Sequence, residues 1–177
     1  MRASAIAGIL LLTAACTPRE PPSWPEGGAP LAIGAARWDR VGEDVIEIRP
    51  DGRVLEDGDL VFVVDRVGRV ADADYEPFAI LLPDGRVVGT DDRWFGHVGV
   101  TNAAPPWSGN AWLAVLPDGT VTFFDSDGAR EAAGHWQGCA GVTHRTCTLV
   151  SHLIALRDYR PAPETGVGIG VGIGVGF

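Results

Sequence analysis

A tripeptide recurs three times, and its spacing limits what this chain can fold into. Pro50-Asp51-Gly52, Pro83-Asp84-Gly85 and Pro117-Asp118-Gly119 stand 33 and 34 residues apart. Each follows an apolar run (Val45–Ile48, Phe78–Leu82, Trp112–Leu116), and each precedes another (Val54-Leu55, Val87-Val88, Val121–Phe124). Proline presets φ at the second turn position and aspartate suits the third. Glycine then takes the left-handed conformation that closes a type I turn with a G1 bulge. The three tripeptides are therefore turns of β-hairpins. Softer turns at Asp65–Arg69 and Asp125–Arg130 resemble each other and support a duplicated strand-turn-strand unit.

Short strand patterns between glycine-rich turns predict an all-β fold, an antiparallel meander of about eight short strands forming a small barrel or a sandwich. Three units of this length are too few for a propeller. Thr146–Leu156 reads as a strand from Thr146-Cys147-Thr148, against the helical spacing of Leu149, Val150, Leu153 and Ile154.

Composition narrows the functions. With 177 residues, 46% of them apolar, the chain supports one domain with a core. Its 23 acidic residues outnumber 14 basic ones, all arginine, for a net charge of −9. A basic footprint for phosphates is missing, so nucleic acid is not the expected partner.

The N-terminus reads as an address. Arg2 precedes the apolar stretch Ile6–Leu12, which ends in Thr13-Ala14-Ala15-Cys16. That stretch is too short to span a bilayer and has the size of a signal-peptide core. Its Ala-Ala-Cys ending resembles the lipobox of bacterial lipoproteins, with Thr13 where that motif usually has a leucine-like residue. The resemblance implies cleavage after residue 15 and diacylglycerol on the Cys16 sulfur. It also implies a lipid anchor in the cell envelope and, because Thr17 rather than Asp follows the cysteine, delivery to the outer membrane. Removing 15 of 177 residues leaves 162 and takes Arg2 away, so 13 basic residues face 23 acidic ones and the charge becomes −10. Anionic headgroups would repel such a domain, leaving the acyl chains to hold it.

Residues 16–36 carry Pro18, Pro21, Pro22, Pro25 and Pro30 and read as a semi-rigid extended tether to an all-β domain at 37–160. In the tail 161–177, Pro161 and Pro163 are followed from Gly166 by Gly alternating with Val or Ile up to Gly176-Phe177. This tail reads as a low-complexity repeat expansion rather than a membrane-seeking strand.

Lipidation of Cys16 leaves Cys139 and Cys147, which an oxidising compartment would join as a disulfide. The competing arrangement, two thiolates binding metal with His135 or His144, lacks the usual zinc spacing. No metal or cofactor is expected. Asp91, Asp92 and His97 form the one cluster from which a hydrolase could be assembled, with Ser108 nearby, but no nucleophile-elbow context accompanies it. Asp125-Ser126-Asp127-Gly128 echoes a calcium loop but lacks its later ligands, so a turn explains it. Trp107, in the loop 103–110, is the candidate exposed binding aromatic. The expected function is a membrane-anchored envelope protein with a binding or structural role and a protein or glycan partner. The alternative is an envelope hydrolase using Asp91, Asp92 and His97.

Overall fold

The computed structural model describes residues 18–125 and 127–159. The expected signal sequence, Cys16 and the glycine-rich tail fall outside these residues. The first six strands are β1 (Ala36–Arg40), β2 (Ile46–Ile48), β3 (Arg53–Glu56), β4 (Asp59–Val64), β5 (Arg69–Asp72) and β6 (Pro77–Leu81). The next six are β7 (Arg86–Gly89), β8 (Trp94–Val98), β9 (Asn102–Ala104), β10 (Leu113–Val115), β11 (Thr120–Phe124) and β12 (Arg130–Gln137). The helix α1 (His144–Asp158) follows. Each strand pairs antiparallel with its neighbours in the chain, and β12 pairs with β1, closing the sheet into a barrel.

The fold is all-β apart from α1, and it is a barrel rather than a sandwich. It has twelve strands instead of about eight. The Pro-Asp-Gly turns join β2 to β3, β6 to β7 and β10 to β11, so one repeat spans four strands and a third of the circumference. Gly52, Gly85 and Gly119 have φ of 90°, 93° and 95°, as the turn type requires. In each turn the aspartate accepts the backbone N–H two residues on, that of Arg53, Arg86 or Thr120. These contacts hold the three carboxyls below the usual carboxylate range. The Arg53 side chain is the main cause at Asp51, and the backbone N–H at Asp84 and Asp118.

The same turn geometry recurs at 65–69, 72–76 and 125–129, now with aspartate at the first position. There Asp65, Asp72 and Asp125 each accept two backbone N–H groups. The echo of a calcium loop at Asp125 is such a turn.

Alternating connections give the barrel two ends. The lower end carries the three Pro-Asp-Gly turns and the start of α1. The upper end carries the short 3-10 turn Thr90–Asp92, the β9–β10 loop and the end of α1. Inward-facing Ile46, Val54, Val64, Val70, Leu81, Leu113 and Val121 form one core with Leu149, Val150, Leu153 and Ile154 of α1. Charged side chains such as Arg37, Glu47, Arg53, Arg86 and Glu131 stand on the solvent side. This is the reverse of the pattern by which strands cross a bilayer. Among the described residues no helix is long and apolar enough to cross a membrane.

The barrel encloses α1, which corrects the expected strand at 146–156. From Thr146 to Ile154 every residue is buried, whichever way its side chain points. A helix walled in on all sides needs no polar face, so the helical spacing of Leu149, Val150, Leu153 and Ile154 comes without an exposed polar stripe, and Thr146, Thr148, Ser151 and His152 are buried as well. Its buried polar groups find partners around it, except Arg145 Nε, which is buried without one. Thr146 Oγ1 donates to Ala32 O (2.8 Å), Thr148 Oγ1 to Val100 O (2.7 Å) and His144 Nε2 to Val115 O (2.7 Å). Trp136 Nε1 donates to Ser151 Oγ at 2.8 Å. Trp136 also faces Trp38 across the β1–β12 seam, with ring centroids 5.6 Å apart, so two buried tryptophans close the sheet.

The proline-rich segment is not a free tether where it is described. Arg19 is held at the upper end by Asp91 and Asp92. Trp24 lies beside Arg69, whose guanidinium stands 5.9 Å from its ring centroid. The chain then bonds to the lower ends of the strands, where Ala29 N–H donates to Leu81 O and Leu31 N–H to Arg66 O. With Ala29 and Leu31 buried and Ala32 bonded to α1, residues 28–34 run beneath the helix and cover the lower mouth. Proline cannot join a sheet ladder, which accounts for the lack of strand here, but it does not prevent docking.

Candidate functional site

Around the end of α1 the upper mouth opens into a groove of about 420 Å³, walled by Trp112, Phe123, Phe124, Ala155 and Tyr159. Trp112 ends the β9–β10 loop, and Phe123 and Phe124 end β11. Tyr159 immediately follows α1. Trp107, the aromatic singled out in the sequence, stacks on Tyr159 with centroids 4.5 Å apart and meets Trp112 edge-on at 5.5 Å. It is 54% exposed. Tyr159 lines the groove and Trp107 backs it through the stack, so an exposed aromatic pair borders an apolar groove, a geometry suited to apolar or planar groups.

The opposite side of the groove is ionic. Arg40, only 8% exposed, pairs with Asp158 at 2.8 Å, with Glu56 at 3.2 Å and with Glu43. Arg157 pairs with Glu56 at 2.7 Å and with Asp158 at 3.0 Å. This network fastens the end of α1 to β1 and β3. Sequence reasoning missed it because its members come from distant parts of the chain.

Beneath the groove Trp112 Nε1 donates to His152 Nδ1 at 3.0 Å, and His152 Nε2 donates to Phe95 O at 2.8 Å. Burial pushes the His152 pKa down to about 4. The available sequence signal was a histidine amid apolar residues in 149–154.

Asp91, Asp92 and His97 are not brought together. The two aspartates sit in the β7–β8 turn with φ of 55° and 58°, occupied by Arg19. His97 pairs with Arg86 near the other end of that hairpin, and its Nε2 donates to Asp84 O at 2.7 Å. An extended strand separates residues by roughly 3.3 Å per step, so proximity in sequence became opposite ends of a hairpin. His97 instead shares a shallow outer pocket with Trp94, Asn102 and Ser108, where neither aspartate reaches.

Cys139 and Cys147 are joined as a disulfide with Cα atoms 6.2 Å apart. It ties the end of β12 to the first turns of α1. With both sulfurs in the bond and the His144 ring committed to Val115 O, these residues do not form a metal site. Among the described residues no three His, Cys, Asp or Glu side chains converge in a way that could hold a metal ion. No protein-family model, curated protein or solved structure matches this chain.

Proposed function

We propose that the protein is an exported lipoprotein, acylated on Cys16 and delivered to the outer membrane, whose barrel is a binding module of the cell envelope. The observation that carries the binding role is the half-exposed Trp107–Tyr159 stack at the groove walled by Trp112, Phe123 and Phe124. Exposed aromatics against a pocket are what recognition sites use, and they are costly to leave in water without a partner. The separation of Asp91 and Asp92 from His97 removes the motive for a hydrolase built on them. A disulfide within the barrel suits an oxidising compartment.

Two measurements test the proposal. Cys16→Ser should move the protein from the membrane fraction to the soluble one, and the wild-type N-terminal peptide should carry the mass of a diacylglyceryl group. Retention of the variant in membranes would place the anchor elsewhere. The groove is probed with anilinonaphthalene sulfonate, whose fluorescence should rise with the wild type and much less with Tyr159→Ser or Phe124→Ser. Equal enhancement by folded variants would exclude the groove as the site.

A further inference from the structure

We infer that the upper end of the barrel lies directly on the bilayer, with its exposed aromatic side chains in the headgroup layer, so that the partner of the aromatic surface is a lipid surface. This rests on the acylation of Cys16 proposed above. The decisive observation is where the chain is first pinned. Arg19 N–H donates to Asp91 Oδ1 at 2.9 Å and Asp91 N–H donates back to Arg19 O at 2.9 Å. The Arg19 guanidinium meets Asp92 at 3.0 Å. Cys16 is three residues earlier, and three trans peptide units span at most about 11 Å. The segment that could have served as a long spacer is consumed by packing along the barrel and beneath its lower mouth. An acyl group on Cys16 therefore cannot hold the domain at a distance, and it must hold it by the Thr90–Asp92 turn.

A second, independent observation concerns the surface itself. The described residues with exposed aromatic side chains are Tyr75 (64%), Trp94 (51%), Trp107 (54%) and Tyr159 (45%). All four stand at the upper end: Tyr75 in the β5–β6 turn, Trp94 beside the Thr90–Asp92 turn, Trp107 in the β9–β10 loop and Tyr159 after α1. The exposed large hydrophobic side chains at the lower end, Val67, Val100, Leu116 and Val142, are aliphatic, and the upper end adds only Val41 of that kind. Tryptophan and tyrosine favour the membrane interface, where the ring meets acyl chains and the N–H or O–H meets water. The groove opens on this same end, toward the lipid. Asp72, Asp74, Asp91 and Asp92 make the rim acidic, so the surface suits uncharged headgroups and relies on the acyl chains for attachment.

The test uses the full acylated protein in phosphatidylcholine vesicles whose lipids are brominated close to the headgroup. Tryptophan emission should be quenched, and Trp94→Phe/Trp107→Phe should lose the larger part of that quenching: Trp38 and Trp136 are enclosed in the barrel and Trp24 packs beside Arg69 toward the lower end, leaving half-buried Trp112 as the remaining tryptophan at the upper mouth. A Gly-Ser linker of about twenty residues between Thr17 and Pro18, long enough to free the barrel, should also weaken quenching while leaving the protein on the vesicles. A diacylglyceryl mass and flotation with the vesicles, but no quenching or unchanged quenching in the double variant, would overturn the orientation alone. Absence of the acyl mass would overturn the lipoprotein reading and the orientation with it.

Discussion

Trp112 and His152 meet inside the barrel, the indole N–H donating to Nδ1 of the ring at 3.0 Å. Indole nitrogen is a donor only, so His152 is neutral with its proton on Nε2, which donates to Phe95 O. The contact links the groove wall to the helix and to β8.

This pair gives the fold an acid sensitivity. The folded pKa of His152, about 4, lies below the ordinary value of 6.5. Its stabilising contribution is therefore complete above about pH 6.5 and is lost as pH falls toward 4, by at most about 1.4 kcal/mol per pH unit. Denaturant unfolding between pH 7 and pH 4.5 should show this slope in the wild type and a shallower one in His152→Gln. Parallel slopes would mean that His152 is not held neutral. Below this window the lowered carboxyls of Asp51, Asp84 and Asp118 add a further loss, since they favour folding only while ionised.

Turn glycines should differ in cost according to what lies beside them. Gly119 and Gly128 share a positive φ, of 95° and 78°. A Cβ at Gly119 would overlap Trp136 O on the adjoining strand, whereas one at Gly128 has nothing within 4 Å. Gly128→Ala should cost about 1 kcal/mol from backbone conformation alone, and Gly119→Ala about 2 kcal/mol or more. Thermal melts of the two variants compare them directly, and equal losses would contradict the close approach of the strands.

Reduction of Cys139–Cys147 should weaken the fold without abolishing the barrel. The bond closes a short loop, worth about 2–3 kcal/mol, and it joins elements already packed together. Non-reduced peptide mapping should yield the linked pair, and a reductant should lower the melting temperature. Two free thiols in freshly isolated protein would refute the bond.

Arg40 should matter more than its charge alone suggests. Its nearly buried guanidinium bridges Glu56 and Asp158 and lies 5.3 Å from the Trp38 ring centroid. Arg40→Met should lose about 2 kcal/mol or more, because both carboxylates would keep only Arg157. A double-mutant cycle with Asp158→Asn should show coupling, and strict additivity would remove the network from the account.

The sequence by itself determined the turns and the all-β character. A Pro-Asp-Gly turn is settled by a fixed proline φ, an aspartate accepting a nearby N–H and a glycine at positive φ, all within five residues. The pairing of Cys139 with Cys147 was legible for a similar reason, since the two lie only eight residues apart. Tertiary structure decided the rest. Twelve strands follow from closure, because the sheet ends only when Trp38 of β1 meets Trp136 of β12, a relationship between residues almost a hundred positions apart. Thr146–Leu156 became helix because an enclosing wall buries every face and its carbonyls satisfy Thr146, Thr148 and His144, so no polar face was needed. Proline and glycine in 18–36 marked a segment without ladder bonds, but only the open lower mouth and the carbonyls of Arg66 and Leu81 determined where it docks. Asp91 and Asp92 stand within six residues of His97 in the sequence and were parted by the length of a strand. Trp107 and Tyr159, far apart in the chain, were joined because the β9–β10 loop and the end of α1 emerge at the same mouth. Local backbone preferences can be read from a few neighbouring residues, whereas a site and a burial pattern exist only once distant segments share one enclosed volume.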